Sequence, residues 1–197
     1  VDVAKETADF VLLEHSLSVL RDGIEEGRRV FANTMKYVYT TTSANFGNMV
    51  SMAIATPLLP FLPLTATQIL LNNFLSDLPS MAISTDRVDA TQLRHAQRWH
   101  LGDVRRFMIV FGLVSSAFDL LTFALLYFAF DAGESLFHSG WFVVSLLTEL
   151  AVVLVLRTHG WSWRSRPSVL LVWTTAAVAA LAVALPYVAL AQRWFGF

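Results

Sequence analysis

Five apolar tracts that contain no Lys or Arg take up most of the chain after Lys36. They are 37–56, 67–84, 107–130, 137–156 and 168–190, each close to the roughly 20 residues that a helix needs to cross a bilayer. The spacing therefore predicts five membrane spans. Composition agrees: 55% of the 197 residues are hydrophobic and 15% are charged, against about 25% charged in a soluble domain. A soluble globular enzyme and a disordered chain are excluded. So is a nucleic-acid partner, which would require a basic field. The net charge is −1 and cysteine is absent, so there is no disulfide, no thiolate metal site and no thiolate nucleophile.

The connections between the tracts set the expected orientation. Arg87, Arg94, Arg98, Arg105 and Arg106 lie between the second and third tracts, and Arg157, Arg164 and Arg166 between the fourth and fifth. The 57–66 and 131–136 connections have no Lys or Arg. Basic loops stay in the cytoplasm, so the arginine loops and the N-terminal segment are expected inside and the C-terminal end outside. Pro57, Pro60 and Pro63 predict a tight, non-helical outer hairpin. Residues 1–34 are polar. Phe10–Leu13 reads as a short buried strand, Ser16 as the cap of a helix, and the charges from Arg21 to Arg29 as a solvated helix face. Val1 in place of Met, no signal-peptide pattern and an odd number of spans predict a piece of a longer polypeptide.

Polar residues inside the tracts carry the chemistry. Thr41, Asn45, Asn48 and Met52 fall on one predicted helix face, and Asn73, Ser76 and Asp77 on another. Pro79 lacks an N–H, which frees the carbonyl of Leu75 beside Asp77. A free carbonyl next to a carboxylate at membrane depth is a ligand set for a cation. Asp119 and Glu149 are two further acids in the spans, with no basic residue there to pair with them. An ionised carboxylate in hydrocarbon is costly; protonation, helices outside this chain or a bound cation would relieve it. The ligands are oxygens, which favours a hard ion such as Mg²⁺, Ca²⁺, Na⁺ or K⁺. Trp141, Trp161, Trp163, Trp173 and Trp194 read as interface anchors. No phosphate loop, H-E-x-x-H or G-x-S-x-G is present, so no catalytic residue is expected in this chain.

Several segments resemble P-type cation-transporting ATPases. Val1–Leu12 is similar to the segment that follows their magnesium-binding G-D-G-x-N-D loop. Glu26-Gly27-Arg28-Arg29 with Asn33 and Lys36 resembles the stalk entering their fifth transmembrane helix. Asn73-Phe74-Leu75-Ser76-Asp77 resembles their sixth-helix N-L-x-[ST]-D motif. Ser115-Ser116-x-Phe118-Asp119 and Ser139-Gly140-Trp141-Phe142 are similar to the magnesium-importing subgroup. The resemblance implies a mainly α, polytopic membrane domain with helices five to nine of ten. It would cover residues 35–197, after a 1–34 remnant of a haloacid-dehalogenase-like phosphorylation domain and stalk. It further implies ATP hydrolysis through an aspartyl-phosphate in domains upstream, coupled to Mg²⁺ import across the plasma membrane, in bacteria the inner membrane. Membrane lipid, the transported cation and the missing N-terminal domains would be the partners. By resemblance, Asn45, Asn48, Asn73, Ser76, Asp77 and Glu149 are the cation-site residues, with Pro79 and Asp119 in support. Asn48 stands where calcium pumps carry a carboxylate, and Glu149 where magnesium importers often carry an amide. The alternatives are a P-type pump for Ca²⁺, H⁺, Na⁺ or K⁺, half of a secondary transporter or channel using Asp77 and Glu149 for proton coupling, and a structural membrane subunit.

Overall fold

The structure, a computed structural model, describes residues 2–9, 11–13, 16–158 and 166–197. Among the described residues eight α-helices follow one another: α1 Asp2–Glu6, α2 Leu17–Ala55, α3 Ala66–Ala82, α4 Ala90–Arg94, α5 Leu101–Ala124, α6 Glu134–Leu156, α7 Val169–Ala184 and α8 Ala189–Phe195. No strand occurs among the described residues. The strand expected over 10–13 does not form at Val11–Leu13, and Phe10 lies outside the described residues. Leu13 is 95% exposed. A strand requires a neighbour to take its backbone N–H and C=O groups, and none is available here.

Local chemistry sets the helix ends. The Ser16 side chain caps α2 by accepting from Ser18 N. Thr65 and Gln68 form a reciprocal capping box at the start of α3, so two backbone N–H groups find side-chain acceptors. The Ser168 hydroxyl accepts from Leu171 N at 3.1 Å and opens α7. The expected non-helical 57–66 hairpin is present, and the His138 ring pins it through Leu62 O at 2.7 Å. Pro79 does not break α3, which continues to Ala82; the break falls at the 3₁₀ turn Ile83–Thr85. The fifth expected span ends early. A 3₁₀ turn, Leu185–Tyr187 with Pro186 inside it, stops α7, and α8 follows as a separate short helix.

Leu101–Ala129, Glu134–Leu156 and Val169–Tyr187 are long and apolar enough to cross a membrane. α2 and α3 are the more polar pair. α2 lies along α5 in parallel: Tyr39 meets Phe107, Gly47 meets Gly112 and Ser51 meets Asp119. Small residues allow this close approach. A Cβ on Gly112 would come within 2.6 Å of a Phe46 ring carbon and 3.1 Å of Ser43 O. The Ser116 hydroxyl can donate across the interface to Gly47 O at 2.9 Å.

The expected inner loops meet at one end of the bundle. The Asp86 side chain is fully buried there. It accepts from Lys36 Nζ at 3.2 Å, Arg157 Nη1 at 3.4 Å and Ser168 N at 3.1 Å. Burial pulls the Lys36 pKa below the ordinary lysine value, and Asp86 opposes that pull. Asn33 Nδ2 donates to the carbonyls of Ser84 and Asp86. At the opposite end Phe197 packs on Phe142 and Gln68 Nε2 donates to Gly196 O.

Candidate functional site

α3 presents polar side chains on two faces. Asn72 and Ser76, one turn apart, are buried and face Glu149 of α6. Asn72 Nδ2 donates to Glu149 Oε2 at 3.5 Å. Ser76 donates to Asn73 O at 3.1 Å, and its hydroxyl also lies beside the Glu149 carboxylate. On α2, Asn48 Oδ1 accepts from Ser145 of α6 at 3.3 Å. Between these helices lies a cavity of about 120 Å³ whose polar lining comes from Thr40, Ser43, Asn48, Ser80, Ser115, Ser145, Thr148 and Glu149. It has room for several waters.

The structure brings Asn48, Ser76 and Glu149 to one region. Asn73 and Asp77 lie on the other, partly buried face of α3. Asn45 is exposed on α2, whereas Asn48 is half-buried against Ser145. Pro79 is buried within α3.

Asp119 is held differently. Ser51 Oγ donates to its Oδ2 at 2.7 Å and Trp141 Nε1 to its Oδ1 at 3.2 Å, all three residues being buried. The carboxylate joins α2, α5 and α6. Trp141 is therefore no interface anchor: it is 1% exposed and its indole N–H serves Asp119. Trp173 and Trp194 are 70% and 73% exposed, whereas Trp161 and Trp163 lie outside the described residues.

The sequence reading gave no site role to Asn72, Ser145 or Ser51, and it read Trp141 as an interface anchor. The Asn72–Asn73 doublet gave a signal, but either residue could have faced inward. Among the described residues no group of three or more His, Asp or Glu could hold a metal ion. Around Glu149 the donors are one carboxylate with amide and hydroxyl oxygens. Such a set suits a hard cation that retains part of its water.

The family model for the cation transporting ATPase C-terminus matches residues 61–197. Over 197 residues, 98% of this chain, the sequence is 44% identical to a protein of Salmonella typhimurium named magnesium-transporting ATPase, P-type 1. It is 45% identical over the same share to the Escherichia coli protein of that name. A putative cation-transporting ATPase of Methanocaldococcus jannaschii is 29% identical over 175 residues, which is 87% of this chain and 21% of that protein. The chain covers 22% of the Salmonella and Escherichia proteins, about a fifth of their length. With its helical architecture and matched region, this chain belongs to the family of cation-transporting ATPase C-terminal membrane domains.

Proposed function

We propose that this chain is the C-terminal transmembrane part of an ATP-driven P-type pump that carries Mg²⁺ into the cytoplasm across a bacterial plasma membrane. The carrying observation is Glu149, a carboxylate at membrane depth with Asn72, Ser76 and a cavity of mixed apolar and polar lining beside it and no basic residue in the spans. A positive charge from outside the chain relieves the cost of placing that carboxylate there. Two relatives are named as magnesium-transporting ATPases, which supports Mg²⁺ as that charge. Asn48, Asn73, Ser76, Asp77 and Glu149 supply oxygens to the ion path. Asn45 stands at its edge, while Pro79 and Asp119 shape the helices around it.

In this reading the N-terminal domains bind ATP and undergo phosphorylation, and residues 1–34 join them to the transport domain at 35–197. α2 is the mechanical link. It runs unbroken through that boundary from Leu17 to Ala55 and is roughly 58 Å long at about 1.5 Å per residue. A shift of its N-terminal half is transmitted along a continuous hydrogen-bonded rod to Asn48. Because α2 lies parallel to the apolar α5, it crosses with it; α3 returns from the proline-rich hairpin to the Asp86 end. The arginine-bearing connections support a cytoplasmic position for that end.

The test is transport by the full-length polypeptide in vesicles, with ATP supplied to outward-facing cytoplasmic domains. Luminal Mg²⁺, followed with an enclosed dye, should fall when ATP is added. An ATP-driven rise in luminal Mg²⁺, or transport of Ca²⁺ alone, would overturn the reading.

A further inference from the structure

We propose that Asn72 is a ligand of the transported cation and that its side-chain amide reports to Glu149 whether the site is loaded. The inference rests on the cation-site reading above and adds a residue that the motif on α3 passes over. Asn72 is 2% exposed. Its Nδ2 donates to Glu149 Oε2 across a long 3.5 Å contact, while no hydrogen-bond donor reaches its buried Oδ1. A buried acceptor without a donor is unfavourable, and an amide oxygen on the same group that contacts a carboxylate is suited to receive a hard cation.

An asparagine amide offers two donors on one side and an acceptor on the other. In the empty site the amide N–H group faces Glu149 and supplies the positive end of a dipole. When a cation arrives between Glu149 and Asn72, the N–H group would point at a like charge. A half-turn of the terminal torsion exchanges Nδ2 for Oδ1, so that carboxylate and carbonyl both face the ion. That torsion is broad and two-fold, and the turn leaves the backbone unmoved. The cavity of about 120 Å³ next to Glu149 holds the waters that the ion keeps or sheds during the exchange. Asn73, on the other face of α3, cannot take this part.

The full-length pump in vesicles tests this, with MgATP outside held constant and luminal Mg²⁺ or Mn²⁺ varied. Asn72→Leu should raise the half-saturating Mg²⁺ concentration by roughly tenfold to a hundredfold, the range expected when a contact to a charge is lost. Asn72→Gln should restore part of the affinity and alter the Mg²⁺-to-Mn²⁺ preference, because the longer side chain moves the same oxygen. Asn72→Leu combined with Glu149→Gln should be little worse than Glu149→Gln alone, as expected for one shared ligand unit. If Asn72→Leu fails to fold, Asn72→Ser, whose hydroxyl falls short of the ion, carries the same expectation. Unchanged half-saturation in the folded Asn72 variants, or fully multiplicative losses in the double variant, would overturn the proposal. Asp77→Asn and Glu149→Gln run alongside: if they shift affinity and Asn72 variants do not, Asn72 is no ligand and the site stands. If none of the three positions shifts it, the site itself is wrong.

Discussion

Asp119 and Glu149 share a residue class and an apolar setting, yet the structure gives them different surroundings. Asp119 receives a hydroxyl and an indole N–H at 2.7 and 3.2 Å. Each of its oxygens accepts from a buried donor on another helix, so it joins α2, α5 and α6. Glu149 has one long amide contact and faces a cavity, which leaves it able to meet an ion. Trp141→Phe separates the two roles. Removing the indole N–H leaves a buried carboxylate short of a donor and should cost about 1–3 kcal/mol of stability. Thermal unfolding of the detergent-solubilised pump should show the loss, while half-saturating Mg²⁺ stays where it was; a large affinity shift with unchanged stability would place Asp119 on the ion path. The sequence marked both acids as unusual because no basic residue lies near them in the chain. It could not reveal their donors, since Ser51 and Trp141 stand 68 and 22 positions from Asp119.

Helix α2 does two tasks that the sequence reading divided between two domains. Its first half carries charge pairs such as Arg29 with Glu26 at 2.6 Å on an exposed face, as the charge run predicted. Its second half buries small residues against α5. Hydrocarbon offers no hydrophobic drive for helix association, so close backbone packing and buried hydrogen bonds hold such a pair together. Gly112→Leu should therefore be severe. Even a Cβ would press on the Ser43 carbonyl, and backbone cannot yield as a flexible side chain does. Overpacking of this kind costs about 1–3 kcal/mol, visible as a lower melting temperature or lost folded yield. Gly102→Ala is the control: nothing lies within 4 Å of its added Cβ, so stability should hold or rise. If both variants behave alike, the α2–α5 contact is looser than described. Asp86 fixes the other relation of α2, tying Lys36 to the start of α7 and the end of α6. These contacts tie the middle of α2 to the ends of α6 and α7, while its second half packs along α5.

For the whole molecule the expected sidedness has a direct check. Ala96 lies exposed in the arginine-bearing connection and Ser135 is exposed at the start of α6. In intact cells Ser135→Cys should react with a membrane-impermeant maleimide and Ala96→Cys only after permeabilisation. The native chain has no cysteine, so this part contributes no background labelling. The reverse pattern would invert the bundle and place Asp86, Lys36 and Arg157 on the outer side.

The sequence by itself determined the helical, membrane-capable character and the presence of uncompensated acids, and it supplied the expected sidedness of the connections. These follow from local runs of residue type, because the bilayer demands long apolar helices with their backbone groups satisfied internally. Tertiary structure decided which face of each helix looks inward. It kept α3 continuous through Pro79, turned Asn45 outward, buried Trp141 and set Asn72 rather than Asn73 against Glu149. The reason is angular: adjacent residues on a helix point about 100° apart. A polar doublet therefore leaves the inward residue undetermined until a neighbouring helix packs against one of the two faces.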